Sequence, residues 1–133
     1  MKIGPMRSTH RQPPKIAGPT VTLLNTDERV VTEKDEQNHN TTSYLYTQYR
    51  FDTGEIELVM VGILPDGAEW DETLRSIERS ALYDEADIKI SKYSTDAADS
   101  RMRDRWIAYK AAVRATPSQR TYPASVEYPE TPE

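Results

Sequence analysis

The sequence predicts an α+β fold: a small antiparallel β-hairpin layer followed by two amphipathic helices, with extended proline-rich arms at both ends. Three observations predict it. Apolar and polar residues alternate between positions 43 and 64, as in strands, and two later stretches repeat apolar residues at helical spacing. Eight of the nine prolines lie near the two ends of the chain. We therefore expect four regions: a basic arm at 1–19, a β-hairpin region at 20–65, a two-helix module at 66–116 and a proline-rich tail at 117–133.

The arm at 1–19 carries four basic side chains, no acidic one, four prolines and two glycines. Such a composition buries too few apolar side chains to offset the entropy of ordering the chain, so we expect an extended arm outside the core. It either stays untethered or becomes ordered against a neighbouring subunit. Because the remaining residues carry 13 basic and 22 acidic side chains, this arm is the part suited to an acidic partner.

Composition and charge exclude several classes of protein. The 133 residues carry a net charge of −5, and an acidic body repels phosphate, so we expect no nucleic-acid partner. No apolar run approaches the roughly 20 residues of a membrane-spanning helix, and the N-terminus lacks a secretory pattern. We therefore expect a cytoplasmic protein with no membrane partner. The lack of cysteine excludes disulfides and thiolate metal sites.

The first strands are predicted as a small hairpin. Short β-branched or leucine-rich runs at 21–25 and 29–32 are separated by a polar turn at 26–28. Residues 33–42 are almost wholly polar, which indicates an exposed loop.

A second hairpin is predicted from strands at 43–51 and 55–64. They are joined by Asp52-Thr53-Gly54, where glycine can adopt the positive φ that a three-residue loop requires. The same tripeptide occurs in aspartic proteases, in which two aspartates share a proton and activate water. That family has alanine or serine after the glycine, whereas this chain has Glu55. We interpret the tripeptide as a turn, and a retroviral-type protease is the alternative from the enzyme class.

Two helices are predicted from apolar residues that recur every three to four positions. The first stripe comprises Trp70, Leu74, Ile77 and Ala81. The second comprises Met102, Trp106, Tyr109 and Val113. Asp96 is the predicted N-cap of the second helix, and Thr116-Pro117 ends it. We expect Trp70, Leu74, Ile77 and the second stripe to form the core, and residues 87–93 to be a short strand or an extended linker.

No residue pattern predicts catalysis or a metal site. His10 and His39 lie in separate polar stretches without companions at metal-ligand spacing. The serines lack a nucleophile-elbow context, and the five glycines form no phosphate-binding loop. We therefore expect no catalytic residue, metal or cofactor.

The C-terminal 55 residues carry an ordered set of motifs. They are RSALYDEAD at 79–87, Asp96, RWIAYKAAVR at 105–114, Pro117-Ser118-Gln119, Tyr122-Pro123 and VEYPETP at 126–132. This string, over residues 79–132, resembles the C-terminal module of tailed-phage tail and tail-fibre assembly proteins. That family has a helix with a Trp-x-x-Tyr-Arg motif, followed by a proline-rich end in which an aromatic residue precedes Pro-x-x-Pro.

The resemblance implies a non-enzymatic role in bacteriophage tail or tail-fibre assembly, with phage tail or tail-fibre proteins as partners. Two roles remain open under it. One is a chaperone that acts in the host cytoplasm during assembly. The other is a structural component that stays in the tail, baseplate or fibre of the virion, where it would form a homo-oligomer.

The proline-rich end is the predicted partner site, and the basic arm is a second predicted contact. Prolines restrict an extended chain before it binds, and tyrosines supply large contact areas. The candidate partner-binding residues are Tyr122, Val126, Tyr128, Pro129, Pro132, Arg7 and Arg11.

Overall fold

A computed structural model describes the whole chain, residues 1–133, as two compact units, Met1–Ile56 and Glu57–Glu133. The first unit is a four-stranded antiparallel sheet, and the second is helical. The predicted α+β class is confirmed. No helix combines the length and apolar character needed to cross a bilayer.

The sheet has the strand order β1-β4-β3-β2, and every neighbouring pair is antiparallel. Its strands are β1 Lys2–Ser8, β2 Lys15–Ala17, β3 Val21–Lys34 and β4 Asn40–Asp52. The two long strands lie in the centre, joined by a tight turn in which Asn38 has a φ of 66°. Tyr49 and Phe51 on β4 are buried, with stacked rings 6.5 Å apart.

The prediction of an N-terminal arm outside the fold is wrong. β1 pairs with β4 from Lys2 to Ser8, and β2 pairs with β3. Composition misled because these strands are held by main-chain hydrogen bonds, which need few buried side chains. Pro5 is tolerated because β1 is an edge strand. No other strand pairs with its outer side, so the N–H that proline lacks is not needed there.

The prediction of two short strands at 21–25 and 29–32 is also wrong. They form one strand, β3, whose register with β4 shifts between Thr26 and Arg29. Asp27 lies in this irregularity with a φ of 57°. A bulge inserts an extra residue into a strand without reversing it, so the polar residues that resembled a turn stay within β3. The predicted loop at 33–42 shrinks to the residues between Lys34 and Asn40.

The predicted strand at 55–64 is a short helix instead, α1, at Glu55–Met60. The Asp52 N–H donates to Glu55 Oε1 at 2.7 Å, which links the end of β4 to the start of this helix. Gly62, with a φ of 87°, donates to the Val59 carbonyl, and Ile63 donates to the Leu58 carbonyl. This pair of bonds is a Schellman ending, for which glycine is the favoured residue. A short apolar run is compatible with a helix or a strand, so the alternation of apolar residues at 55–64 did not distinguish the two.

The second unit contains two longer helices, α2 at Glu72–Lys92 and α3 at Ser100–Arg114. Asp71 caps α2 by accepting from the Leu74 N–H at 2.9 Å. Asp96 caps a 3₁₀ turn, Ala97–Asp99, that leads into α3. The stretch at 87–93 is neither strand nor linker, because α2 continues through Lys92. Ile90 and Tyr93 there pack against the core, which explains the continuation.

The core of the second unit lies between α2 and α3. Trp106 is 1% exposed and contacts Tyr109 edge-to-face, with 5.2 Å between ring centroids. Val113 and Ala86 complete the buried cluster, and Met102 packs against it half-buried. Leu74 is also buried, whereas Trp70 and Ile77 are half-buried.

Candidate interaction surface

The C-terminal segment, residues 117–133, has little regular secondary structure, yet it is fixed by hydrogen bonds. Gln119 closes a loop by donating from Nε2 to the Glu127 carbonyl at 2.7 Å. Its Oε1 accepts from the Glu127 N–H at 2.8 Å. The side-chain amide thus satisfies both backbone groups of one residue, as a neighbouring strand would. The loop 119–127 therefore has a defined shape.

Arg75 on α2 is the first anchor of this segment. Its guanidinium is almost fully buried, donates from Nε to the Pro123 carbonyl at 2.8 Å and from Nη2 to the Ala124 carbonyl at 3.2 Å. Its Nη1 donates a third hydrogen bond, to Glu78 Oε1 at 2.9 Å. The Arg75 guanidinium also lies 3.8 Å from the centre of the Trp70 ring, in cation–π contact. One side chain thus links two carbonyls of the segment to α2.

Glu78 is the second anchor. This buried carboxylate accepts from Arg75 and from the hydroxyl of Tyr128. Burial, followed by the hydrogen bond to Glu78, raises the pKa of Tyr128, so the hydroxyl remains a donor. Gly62 lies close by, since a Cβ there would come within 3.1 Å of Glu78 Oε2. Arg75 and Tyr128 therefore compensate the buried charge at Oε1, and Gly62 packs closely against Oε2.

Arg79, Glu72 and Tyr122 form the third anchor. Arg79 donates to Glu72 Oε1 at 2.7 Å and to the Tyr122 hydroxyl, which in turn donates to Glu72 Oε2. Partial burial alone would raise the pKa of Glu72. Hydrogen bonds from Tyr122 and Arg79 and the guanidinium charge outweigh burial and lower the pKa. This closed triangle holds Tyr122 beside the first turns of α2.

Glu133 forms the fourth anchor, at the other end of α2. It accepts from Lys89 Nζ at 2.7 Å and from the hydroxyl of Tyr93. The hydrogen bond from Lys89, followed by that from Tyr93, lowers the pKa of Glu133 to about 2. The segment is thus attached along the whole of α2, from Glu72 to the C-cap residue Tyr93.

A shallow groove of about 290 Å³ lies beside the segment. It is lined by Ala112, Gln119, Glu127, Tyr128 and Pro129. The lining combines the rings of Tyr128 and Pro129 with the exposed carboxylate of Glu127 and the half-buried amide of Gln119, which is already bonded to the Glu127 backbone. The groove contains no nucleophile with a neighbouring base.

The predicted partner-binding residues fall into two groups within the segment. Tyr122 and Tyr128 direct their hydroxyls to carboxylates of α2. Val126, Pro129 and Pro132 are half-buried. The tyrosines therefore fix the segment, whereas the other three present part of their apolar surface to solvent.

Arg7 and Arg11 belong to the sheet unit. Arg7 forms an ion pair with Glu33 at 3.0 Å, and Arg11 forms one with Glu28 at 2.9 Å. Both arginine side chains are more than half exposed, so these pairs contribute little to stability and leave the cations accessible.

The anchors Glu72, Arg75 and Glu78 were not predicted as functional or structural residues. Their signal in the sequence is a row of charges at helical spacing beside the apolar stripe of α2. Such a row is normally a solvated face. Only the position of the C-terminal segment in the structure shows that this row of charges is covered.

Asp52, Thr53 and His39 belong to the sheet unit. Asp52 ends β4, and its exposed carboxylate lies 3.4 Å from Arg50. Thr53 donates to the Thr20 carbonyl. His39 lies 3.7 Å from Asp35, within the β3–β4 turn. No cluster of three or more histidine, aspartate or glutamate side chains has the geometry to hold a metal ion.

Comparison with known families gives one result that covers the anchored segment. Residues 71–133 match the family model described as phage tail assembly chaperone protein. The match begins at Asp71, the N-cap of α2, and includes α3 and all four anchors. No curated protein and no solved structure matches the chain.

Proposed function

We propose, from the match of residues 71–133 to the phage tail assembly chaperone family, that the chain is a non-enzymatic assembly factor that binds other phage tail proteins. The family match supports a role in tail assembly. The observation that supports a binding role is the anchored C-terminal segment, because the matched region contains both the segment and the helix that holds it.

The proposed contact surface is the solvent-facing side of the segment. Val126, Pro129 and Pro132 are half-buried, so each keeps apolar surface that a partner would cover. A segment already fixed by Arg75 and Gln119 loses little conformational entropy when it binds. Pre-organisation of this kind raises affinity without a large interface.

Whether the chain is absent from the finished particle or retained in it distinguishes the two roles that the family leaves open. A chaperone acts in the host cytoplasm and is absent from the finished particle. A structural component of tail, baseplate or fibre is retained there. Mass spectrometry of purified particles, with a known tail protein as the reference, distinguishes the two; we expect the chain to be absent.

The assembly role is tested by deleting the gene in frame from the phage genome that encodes it and examining the particles by electron microscopy. We expect heads that lack complete tails or fibres, and full recovery when the wild-type chain is supplied from a plasmid. Normal, infectious particles from the deletion genome would contradict the proposal.

A further inference from the structure

One edge of the sheet is left open along half of its length. β2 covers β3 only from Thr22 to Leu24, and the Asn25 N–H adds one bond to the Pro14 carbonyl. Beyond this point no strand lies on the outer side of β3 from Arg29 to Lys34, while its inner side pairs with β4 throughout. We call residues 29–34 the β3 edge.

The register shows which backbone groups are free there. The Asp35 N–H donates to the His39 carbonyl across the turn, and the β3–β4 register continues unbroken from this pair to Arg29. Because bonded pairs alternate along an antiparallel ladder, the odd-numbered residues of the edge bond to β4. The N–H and C=O groups of Val30, Thr32 and Lys34 therefore point outward, where no strand meets them.

The opposite edge of the sheet is protected and the β3 edge is not. β1 carries Pro5, and its register is irregular beside Gly4, which has a φ of 115°. Prolines, bulges and charged side chains are the usual means by which sheet edges avoid pairing with other chains. The β3 edge has no proline and its register with β4 is regular, its charged side chains are of both signs, and it contains the β-branched run Val30-Val31-Thr32, with Val30 53% exposed.

We propose that the β3 edge pairs with the β3 edge of a second copy of this chain, antiparallel, around a two-fold axis at Val31. The order of charges along the edge favours a second copy of this chain as the partner. Centred on Val31, self-pairing places Arg29 opposite Glu33 of the second copy, and Glu33 opposite Arg29. Val30 then lies opposite Thr32. The edge is complementary to itself in both charge and strand propensity.

The side chains needed for this pairing are accessible. Arg29 is exposed and forms no ion pair within the chain. Glu33 uses Oε1 for Arg7, at 3.0 Å, and its Oε2 has no partner. In the proposed register this pair occupies a non-hydrogen-bonded position, where opposing side chains come closest. Each Glu33 would then lie between Arg7 of its own chain and Arg29 of the second copy.

Pairing of two copies occupies the β3 edge of both chains, and neither remaining edge offers a comparable strand, because β1 is protected and β2 is only three residues long. The product is a closed dimer rather than a growing fibre. This inference is independent of the proposed function, since it uses the sheet unit and not the C-terminal segment.

Sedimentation of the full chain over a range of concentrations tests the proposal. We expect a reversible species of about twice the 15.2 kDa chain mass. Thr32→Pro removes one outward N–H and should abolish the dimer, whereas Thr32→Ala keeps that N–H and serves as the matched control. Both variants should keep the wild-type circular dichroism.

Charge reversal tests the register. Arg29→Glu and Glu33→Arg each create two like-charge contacts in a homodimer, so each should weaken dimerisation about tenfold or more. Mixing the two variants restores both opposite-charge contacts in a heterodimer, and affinity should return. A chain that stays monomeric at all concentrations overturns the proposal. So does a dimer that is indifferent to Thr32→Pro and to both charge reversals, because it must use another surface.

Discussion

The hydroxyl of Tyr128 donates a hydrogen bond to the carboxylate of Glu78, which lies fifty residues earlier in the chain. This bond joins the proline-rich segment to the buried charges of α2. Tyr128→Phe removes the hydroxyl and little else, so we expect a loss of about 1 to 2 kcal/mol in the free energy of unfolding. Tyr83→Phe is the control, because the Tyr83 ring packs on the same core and its hydroxyl forms no hydrogen bond in the structure. Equal stability of the two variants in urea unfolding would contradict a stabilising hydrogen bond between Tyr128 and Glu78.

Loss of the Arg75 guanidinium should destabilise the fold strongly, because this buried group donates to Glu78 and to two carbonyls of the segment. Arg75→Met leaves Glu78 buried without its cation and leaves the carbonyls of Pro123 and Ala124 without a donor. Breaking a buried pair on one side costs about 3 to 5 kcal/mol. Arg103→Met is the matched control, since Arg103 forms only an exposed pair with Asp104, and it should cost less than about 1 kcal/mol. Similar unfolding midpoints for both variants would show that Arg75 is not an anchor.

Trp106 should tolerate a smaller aromatic ring but not its removal. Its side chain is fully buried, and its indole Nε1 forms no hydrogen bond. Trp106→Ala should lose about 3 to 5 kcal/mol through cavity formation. Trp106→Phe keeps most of the packing and removes an unpaired donor, so thermal unfolding should show a clearly smaller loss. An equally large loss in both variants would indicate that the indole nitrogen is engaged.

The contact of Glu133 with α2 should depend on pH in one direction. The pKa of Glu133 in the folded chain, about 2, lies below the ordinary carboxyl value of ~4.3. The contact is therefore intact above the ordinary value and is lost as the pH falls through about 2. A carboxyl titration by NMR should show this low midpoint in the wild type. Lys89→Met removes the main cause of the shift and should return the midpoint toward the ordinary value. An unchanged midpoint would contradict the contact.

The helices were predictable because their apolar residues repeat along one face. Trp106, Tyr109 and Val113 pack where their spacing places them, and Asp96 caps a helical turn. The first strands were misassigned since bulges and edge pairing depend on main-chain geometry that composition does not encode. β1 shows this most clearly: its few apolar residues indicated a free arm, yet it lies in the sheet.

The anchors of the candidate site were not predictable from local sequence. Arg75 and Glu78 have the spacing of an ordinary surface pair on a helix. They are buried only because residues 119–128 fold back over them, which is a long-range contact. The motifs of the segment were visible, and they gave the family resemblance that the match over residues 71–133 confirms.

Capture of a tail protein by the tagged full chain, from cells that assemble the phage, is the most direct test of the proposed binding role. Val126→Asp places a charge on the proposed contact surface, and Val61→Asp is the control, because Val61 is 71% exposed in the same unit but outside the segment. We expect wild type and Val61→Asp to retain the same tail protein, identified by mass spectrometry, and Val126→Asp to lose at least about nine-tenths of it with an unchanged melting curve. Failure of the wild type to retain any tail protein, or equal retention by a folded Val126→Asp variant, would contradict binding through the C-terminal segment.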